Sequence, residues 1–455
     1  MSASLDICVP WLNSMVAIII LTMAKNRIQV AIVGGGIAGL ALAAGLVKKR
    51  HIDVHVYESV SAYKDIGAGL ALHLNAIKAM ALIGPEVRQA YFDMALSMGD
   101  ENQEMVTEVI LGQGPHKGQL VAELGRAKGR KTVSRADLLE GFLALIPKET
   151  ISFGKKLVDV KEQNSSKPNV HLTFQDGTEV KVDCLLGADG VHSVTRSYLL
   201  GADHSATSPK NHDRWQIYRT MVPTDEARKQ INPKWTTNVP ILLGPRGHVN
   251  CIPLNKNTRL SAGVAVRGAF FSTIDGCAPP LDPALYADYS EEAQQIVRMV
   301  AKDTSSSWTV ADHDHAPYYA RGRVAMLGDA AHTAMPFSGN GAAQALEDAA
   351  VLDYLLAHVE RPEQIEHALR AFDEVRRPRS QAVVDLARKF GRVYAYAEDG
   401  MHEDPARMME FFGEMAAFTN EFDVKGQNEA ALKAFVRLDM DNGETDGKAN
   451  GVAKS

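Results

Sequence analysis

The sequence contains few cysteines for its length, and they do not form metal-binding motifs. Four cysteines occur in 455 residues, none in a C-x-x-C pair: Cys8, Cys184, Cys251 and Cys277. This scatter argues against a structural zinc site and a disulfide framework, and it fits a reducing compartment. Blocks of lysine and arginine are also lacking, and the net charge is −6, which argues against a nucleic-acid partner.

Long hydrophobic runs are scarce, and residues 5–24 form the one candidate membrane segment. Its uninterrupted apolar part, 15–21, is shorter than the roughly 20 residues that a spanning helix needs. Pro10 and Asn13 interrupt the remainder. We therefore predict a cytoplasmic protein with an N-terminal extension over 1–27. The alternative is a membrane-anchored protein whose anchor is this segment.

The chain contains 45% hydrophobic and 23% charged residues, which is typical of a soluble globular protein. A β-branched run over 28–33, an Ala/Leu-rich helical stretch over 37–49 and a second strand over 53–57 predict a βαβ unit. Prolines, glycines and alternating segments over 210–320 suggest an antiparallel sheet. We predict an α/β fold in which a Rossmann-like dinucleotide-binding domain is interrupted by a mainly antiparallel substrate-binding sheet, followed by a helical C-terminal region.

The predicted boundaries divide the chain into six parts. They are the N-terminal extension (1–27), the first part of the dinucleotide domain (28–205), the substrate-binding sheet (206–320), the second part of the dinucleotide domain (321–355), the C-terminal helices (356–440) and a disordered tail (441–455).

A glycine-rich turn joins the first predicted strand to the first predicted helix. Gly34, Gly36 and Gly39 form G-x-G-x-x-G. Gly34 permits the tight turn, Gly36 lets a pyrophosphate approach the helix N-terminus, and Gly39 allows close packing of helix and strand. Glu58 follows the second strand, where a carboxylate can accept hydrogen bonds from ribose hydroxyls. This turn alone does not distinguish FAD from NAD.

Two further motifs follow in order along the chain. Residues 187–196 read GADGVHSVTR, and residues 328–332 read GDAAH. In combination with the glycine-rich turn, they resemble the single-component FAD-dependent aromatic monooxygenases, in particular the salicylate-hydroxylase-like enzymes and similar fungal polyketide and phenol hydroxylases. The resemblance covers about residues 28–390. A second G-x-G-x-x-G is absent from the sequence, so we predict one bound dinucleotide, FAD, with NAD(P)H as a transient co-substrate.

The resemblance implies a role in FAD binding for twelve residues. They are Gly34, Gly36, Gly39, Glu58, Gly69, Ala71, Arg135, Asp189, Asp329, Gly339, Gly341 and Ala342. Among them, Asp329 would bind the ribityl chain, and residues 339–342 would present a helix N-terminus to the flavin ring. Backbone N–H groups at such a terminus stabilise negative charge. For Asp189, a purely structural role in the A-D-G turn is the alternative.

The substrate side is predicted from the Tyr218-Arg219 pair, which matches a pair near the substrate in this family. Arg219 is a permanent cation with a forked set of donors that suits a phenolate or carboxylate, and we predict it to be the catalytic residue. A surface ion pair is its alternative role. His248 is a candidate for the same pocket, with a structural histidine as the alternative.

Two pocket positions depart from the relatives that the motifs indicate. Phe337 stands where salicylate hydroxylases have histidine, and Ile252 stands where the dearomatising fungal hydroxylases have tyrosine. Both changes replace a polar group with an apolar one, so a larger, more apolar aromatic substrate is expected. Residues 312–315 read DHDH, but alternate side chains of a strand point to opposite faces. We therefore predict strand residues there and no metal site.

The resemblance implies hydroxylation of a phenolic or other electron-rich aromatic molecule, in secondary metabolism or aromatic catabolism. Reduced FAD would react with O2 to give an electrophilic C4a-hydroperoxide, and the protein would orient the ring and exclude water. Two alternatives stay open at this point. One is epoxidation of an alkene in terpenoid or meroterpenoid chemistry, and the other is a membrane-associated flavin-binding protein without hydroxylase activity.

Overall fold

A computed structural model describes residues 27–63, 69–97, 102, 104–128, 131–163, 169–254, 258–269 and 279–451. The strands are β1 (Ile28–Val33), β2 (Ile52–Tyr57), β3 (Gly69–Leu70), β4 (Leu96–Ser97), β5 (Glu104–Leu111), β6 (Leu120–Lys128), β7 (Lys131–Ser134), β8 (Ile151–Ser152), β9 (Leu157–Gln163), β10 (Asn169–Phe174), β11 (Glu179–Val182), β12 (Cys184–Gly187), β13 (Gln216–Pro223), β14 (Val239–Gly244), β15 (Gly247–Leu254), β16 (Arg259–Val266), β17 (Ser306–Thr309), β18 (Ala320–Arg321) and β19 (Val324–Met326). The helices are α1 (Ile37–Leu46), α2 (Leu74–Ile83), α3 (Pro85–Met94), α4 (Arg135–Leu143), α5 (Val194–Leu200), α6 (Thr224–Ala227), α7 (Glu291–Val300), α8 (Asp329–His332), α9 (Gly341–Leu356), α10 (Ile365–Tyr394), α11 (Pro405–Asn420) and α12 (Val424–Gly451).

The dinucleotide domain is built on a six-stranded sheet in the order β18-β19-β12-β1-β2-β8. All neighbours pair in parallel except β18 and β19. The interior strands are almost fully apolar because both sheet faces are covered. Helices α1 and α9 pack against each other, and the antiparallel meander β9-β10-β11 contributes to the same hydrophobic core. The predicted Rossmann-like architecture is confirmed.

The second large sheet has seven strands in the order β17-β13-β16-β15-β14-β5-β6. Its pairings are antiparallel apart from the parallel pair β14 and β5, so the sheet is mixed rather than purely antiparallel. Residues 206–320 supply five strands. The other two, β5 and β6, lie between 104 and 128, a stretch that the sequence assigned to the dinucleotide domain.

The chain after β19 is helical, as predicted, with α10 spanning 30 residues. Helix α12 continues to Gly451, beyond the start of the predicted disordered tail at 441. The polar composition indicated exposure, but Ala, Lys and Glu are also good helix formers, so polarity does not end the helix. Within the described ranges, no helix combines the length and the hydropathy required to cross a bilayer. The candidate membrane segment over 5–24 lies outside those ranges.

A fully buried network of charges joins α9 to α10. The Arg376 guanidinium donates to Asp348 Oδ1 at 2.7 Å and to Glu347 Oε2 at 2.6 Å, and all three side chains are inaccessible to solvent. Asp348 Oδ2 accepts from the Gly328 N–H at 2.8 Å and lies 2.6 Å from His332 Nε2. Although burial opposes ionisation, the charges of His332 and Arg376 hold the pKa of the Asp348 carboxyl below its usual value. The network fixes the GDAAH turn against α9.

We expect Arg376→Met to lower the free energy of unfolding by about 3–5 kcal/mol, because two buried carboxylates lose their main partner. Arg377→Met is the matched control. The Arg377 side chain is 30% exposed and pairs with Asp373 within one helix, so its loss should cost only about 0–1 kcal/mol. Urea unfolding of the FAD-loaded protein measures both. Equal stability of the two variants would contradict a central role for the network.

Candidate active site

The glycine-rich turn leaves no room for side chains at Gly34 and Gly39, two of the three glycines of the G-x-G-x-x-G motif. Gly34 has φ +106°, and a Cβ there would lie 2.1 Å from the Ala188 carbonyl oxygen at the end of β12. A Cβ on Gly39 would lie 2.0 Å from the Gly34 oxygen, so α1 packs directly on the turn. Gly36 differs, because its nearest neighbour would be Arg135 Nη2 at 3.9 Å. The backbone at Gly36 therefore faces open space at the start of α1.

Glu58 is buried beside this turn and is already engaged by the backbone. Its Oε2 accepts from the Gly35 N–H at 2.6 Å, and its Oε1 accepts from the Val60 N–H at 2.9 Å and from Ser59 Oγ at 3.1 Å. A carboxylate offers about four lone-pair sites, so capacity remains for a ribose hydroxyl. The sequence did not indicate that Glu58 also holds the glycine-rich turn in place.

Arg135, Gly36 and Asp329 converge on the open space in front of α1. Within the described ranges, Arg135 has no hydrogen-bond or ion-pair partner, although its guanidinium lies beside the glycine-rich turn. Asp329, at the start of α8, has solvent-accessible surface. The surrounding protein nevertheless desolvates its carboxyl and raises its pKa, and the charges of His332 and Arg135 oppose this effect. A free cation next to a helix N-terminus suits a pyrophosphate, and an accessible carboxylate suits ribityl hydroxyls.

The turn before α9 brings another helix N-terminus to this region. Gly339 adopts φ +63°, and a Cβ on Gly341 would meet nothing within 4 Å. The N–H groups of Gly341 and Ala342 begin a 16-residue helix and have no partners within it. The positive end of this helix is therefore accessible to an electron-rich ring. These observations and the open face at Gly36 show that the residues present fit FAD.

Asp189 and Arg196, both in the segment 187–196, have different structural roles. Asp189 accepts from Ser193 Oγ at 2.5 Å and from the Thr195 N–H at 3.0 Å, which supports the start of α5. Arg196 is fully buried and donates to the carbonyl oxygens of Ala206, Asp314, Ala330 and Ala331. Burial lowers the pKa of Arg196 to about 10. The structure shows the turn-forming role of Asp189; its contact with FAD stays a prediction.

The seven-stranded sheet separates the Tyr218-Arg219 pair onto opposite faces. Tyr218 is 3% exposed and packs in the cluster beneath α7. Arg219 projects to the other face, where its guanidinium carbon lies 4.5 Å above the centre of the Trp308 ring. The prediction that both side chains line one pocket therefore does not hold in this structure, because successive strand residues alternate in direction. Arg219 faces the side on which Phe337 lies.

His248 lies on the same sheet face as Arg219, within an aromatic cluster. Its ring centre is 5.5 Å from that of Phe337 and 5.0 Å from that of Tyr394, with edge contacts in both pairs. The buried Nδ1 atom has no partner among the described residues. Burial lowers the pKa of His248 to about 4, so the ring is neutral at physiological pH. His248 therefore provides polarity without charge.

Four further residues were predicted for the pocket or for the cofactor site: Phe337, Ile252, Gly69 and Ala71. Phe337 is 7% exposed and packs on Trp215, with 4.4 Å between ring centres. Ile252 is half-buried and follows His248 on the same face of β15. At Gly69, in the short strand β3, a Cβ would lie 2.6 Å from Leu254 Cδ2 at the end of β15. Ala71 follows β3 and is half-buried.

The DHDH segment is occupied by structural contacts and does not form the predicted strand. Asp312 makes a single bridge with Lys210, and its Oδ2 accepts from Arg388 Nε at 2.7 Å. His315 pairs with Asp385 at 2.9 Å. No cluster of three or more potential metal ligands occurs in the ranges that the structure describes. The absence of a metal site remains a prediction.

Three residues of the substrate face were missed from the sequence: Asn250, Gly263 and Trp308. Arg219, Gly263 and Asn250 are directly opposite one another on β13, β16 and β15, so they share one face. Alternation along β15 could have identified Asn250, which lies between His248 and Ile252. Gly263 and Trp308 depend on strand pairings that the sequence alone does not reveal.

A family model described as FAD binding domain matches residues 27–387. The chain belongs to this FAD binding domain family. A 6-methylsalicylate 1-monooxygenase of Aspergillus terreus is 34% identical over 91% of the chain and 94% of the relative. A salicylate hydroxylase of Pseudomonas putida is 30% identical over 81% of the chain and 87% of the relative.

Solved structures agree with this membership of the FAD binding domain family. A salicylate hydroxylase substrate complex has a TM-score of 0.76 and 27% identity, covering 90% of this chain and 98% of that one. This member of the family is an FAD-dependent monooxygenase with FAD as cofactor, and NAD(P)H is the usual co-substrate of the family. The alternative of a flavin-binding protein without hydroxylase activity loses its support.

We expect Glu58→Ala to weaken FAD binding by about 1–3 kcal/mol, because three donors lose their acceptor and the ribose loses a candidate one. Titration of the apoprotein with FAD, followed by flavin fluorescence, gives the dissociation constant. Asp53→Asn is the control, since Asp53 is an exposed acid on β2, the strand that Glu58 follows. An unchanged FAD affinity in Glu58→Ala would contradict both roles.

We expect His248→Phe to reduce the loss in free energy of unfolding that accompanies acidification from pH 7 to pH 5. The unfolded histidine binds a proton near pH 6.5, whereas the folded one does so only near pH 4. Acidification between these values therefore favours unfolding, and the His248 contribution to the free energy of unfolding should fall by about 2 kcal/mol from pH 7 to pH 5. Urea unfolding of the FAD-loaded protein and the variant at both pH values tests this. Parallel losses in the two proteins would show that His248 is not buried as a neutral ring.

Proposed function

We propose that this enzyme hydroxylates a phenolic ring that carries an anionic group, with Arg219 binding the anion. The observation that carries the proposal is the state of the Arg219 guanidinium. It is half-buried, stacked on Trp308 and without a carboxylate partner in the described part of the chain. Burial lowers the pKa of Arg219, but arginine still remains protonated at neutral pH. A partly desolvated, unpaired cation suits an anionic ligand.

The proposed ligand is chemically similar to the substrates in the relatives' names, since salicylate and 6-methylsalicylate are both phenolic acids. The apolar surroundings favour a substituted ring. Phe337 and Ile252 supply aromatic and aliphatic surface beside the polar groups, and the fully buried Trp215 and Tyr394 pack behind Phe337 and His248. His248 adds a neutral hydrogen-bonding group at the edge of this surface.

When bound, FAD would supply the electrophilic oxygen atom for the ring, with NAD(P)H as the reductant and O2 as the oxygen source. The residues of this chain perform the remaining tasks. Arg219 binds the anionic substituent through its forked donors and thereby orients the ring. The aromatic cluster around Phe337 excludes water from the ring. The partners of the protein are thus an aromatic small molecule and O2.

Alkene epoxidation is the second candidate function, and the apolar residues Phe337 and Ile252 are compatible with it. An alkene without an acidic group would leave the Arg219 cation unused inside the pocket. The mass of the product and the position of the new oxygen distinguish an arene substrate from an alkene. We also propose a cytoplasmic location and, apart from the strands over 104–128 and the helix beyond 441, the predicted domain boundaries.

We expect Arg219→Ala to lower kcat/KM for a phenolic acid while FAD remains bound. The corresponding loss of transition-state stabilisation should be about 2–5 kcal/mol. KM should rise. A larger share of NAD(P)H oxidation than in wild type should yield hydrogen peroxide instead of hydroxylated product. Arg219→Lys should recover only part of the activity, because a point charge lacks the guanidinium fork.

The measurements are NAD(P)H consumed, hydrogen peroxide formed and product formed, with 6-methylsalicylate as the first substrate. Arg259→Ala is the matched control, since Arg259 is an exposed arginine at the start of β16 in the same sheet. Wild-type coupling and kcat/KM in Arg219→Ala would overturn the anion-binding role.

A further inference from the structure

A row of residues in register crosses three strands of the large sheet: Arg219, Gly263 and Asn250. The polar side chains of Arg219 and Asn250 flank Gly263, which has no side chain. The three residues pair in register across β13, β16 and β15, and residues paired in this way point to the same face of a sheet. With neighbouring strands about 4.8 Å apart, the α-carbons of Arg219 and Asn250 are roughly 10 Å apart. Gly263 therefore forms the floor of a gap between a cation and an amide.

The Asn250 side chain leans over Gly263. A Cβ on Gly263 would lie 2.8 Å from Asn250 Oδ1, and its next neighbour would be the Tyr218 carbonyl oxygen at 3.7 Å. The amide thus occupies the space that a side chain at 263 would fill. The lack of a side chain at this position allows Asn250 to extend toward β13, the strand that carries Arg219.

The amide of Asn250 has unused hydrogen-bonding capacity. The residue is half-buried on the substrate face, and within the described ranges it makes no hydrogen bond. An amide carries one acceptor and two donors, and leaving them unsatisfied in a partly buried site is costly. A ligand placed over Gly263 would meet the guanidinium on one side and this amide on the other.

We propose that Asn250, positioned by the absence of a side chain at Gly263, is a specificity-determining residue that binds a second oxygen substituent of the substrate. The site then selects aromatic acids that carry a hydroxyl or carbonyl group in addition to the anion held by Arg219. This inference rests on the proposed function, because it assumes that the aromatic ligand occupies the Arg219 face of the sheet.

A binding experiment on the oxidised FAD-loaded enzyme tests this without turnover. The probes are 6-methylsalicylate and 2-methylbenzoate, which differ only by the hydroxyl group. Calorimetry and the ligand-induced change in flavin absorbance give both dissociation constants. We expect wild type to bind the hydroxylated acid at least tenfold more tightly, because a site built around a hydroxyl rejects ligands that lack it.

Two single variants should remove this preference. Asn250→Ala deletes the amide, and Gly263→Ala adds a Cβ that displaces it. In each variant the ratio of the two dissociation constants should fall to within about twofold of unity. Asn250→Ser should restore part of the ratio, since a hydroxyl can replace one hydrogen bond.

The double variant Gly263→Ala/Asn250→Ala gives the sharpest comparison. The Cβ at 263 clashes with the Asn250 amide alone, so Gly263→Ala should have no further effect once that amide is absent. A ratio unchanged by Asn250→Ala, or an additive effect of the two substitutions, would overturn the role of Asn250. Failure of wild type to bind either acid would overturn the proposed ligand class.

The anion site is tested separately in the same assay. Arg219→Ala should weaken both acids, because both carry the carboxylate, and leave their ratio near the wild-type value. If Arg219→Ala binds both acids as wild type does while the Asn250 variants still lose the ratio, the proposed function fails and the specificity role stands.

Discussion

The Asp348 carboxylate accepts from a backbone N–H of the GDAAH turn, faces His332 and is neutralised by Arg376. Asp348 lies on α9, and its partners lie on the GDAAH turn and on α10, so three elements meet here, and each of them continues to a surface of the active site. The GDAAH turn carries Asp329, α9 begins at Gly341, and α10 packs on the aromatic cluster around Phe337. A buried charge needs its partners with good geometry, so the site cannot loosen at one element without a cost at the others.

The substrate face shows a division between one permanent charge and several neutral polar groups. Arg219 remains a cation, whereas burial keeps His248 neutral and leaves it hydrogen-bonding capacity only. Asn250 is neutral at every pH. A single fixed charge orients an anionic ring, and neutral groups distinguish its other substituents without repelling it. The arrangement separates the strength of ligand binding from the choice of ligand.

Local patterns in the sequence predicted the elements whose chemistry is local. The strand over 28–33 and the glycine-rich turn both have short-range signals, and the structure contains both of them. Tyr218 and Arg219 needed one further step, since alternation along a strand assigns them to opposite faces. The joining of β5 and β6 to the larger sheet depends on the packing of segments more than 100 residues apart in the chain, for which a single sequence has no local signal.

The Arg196 side chain has a consequence for the order in which this protein is made. Its guanidinium is satisfied by carbonyl groups at 206, 314, 330 and 331, and β12, just before it, pairs with β19 at 324–326. A nascent chain that has emerged only as far as 300 therefore contains one of the four carbonyl acceptors of Arg196, and its β12 still lacks the neighbouring strand β19. Exposed edges of this kind promote aggregation. The sheet of the dinucleotide domain is completed only when β19 has been synthesised, after the intervening sheet. Completion of this domain is therefore a late event in translation.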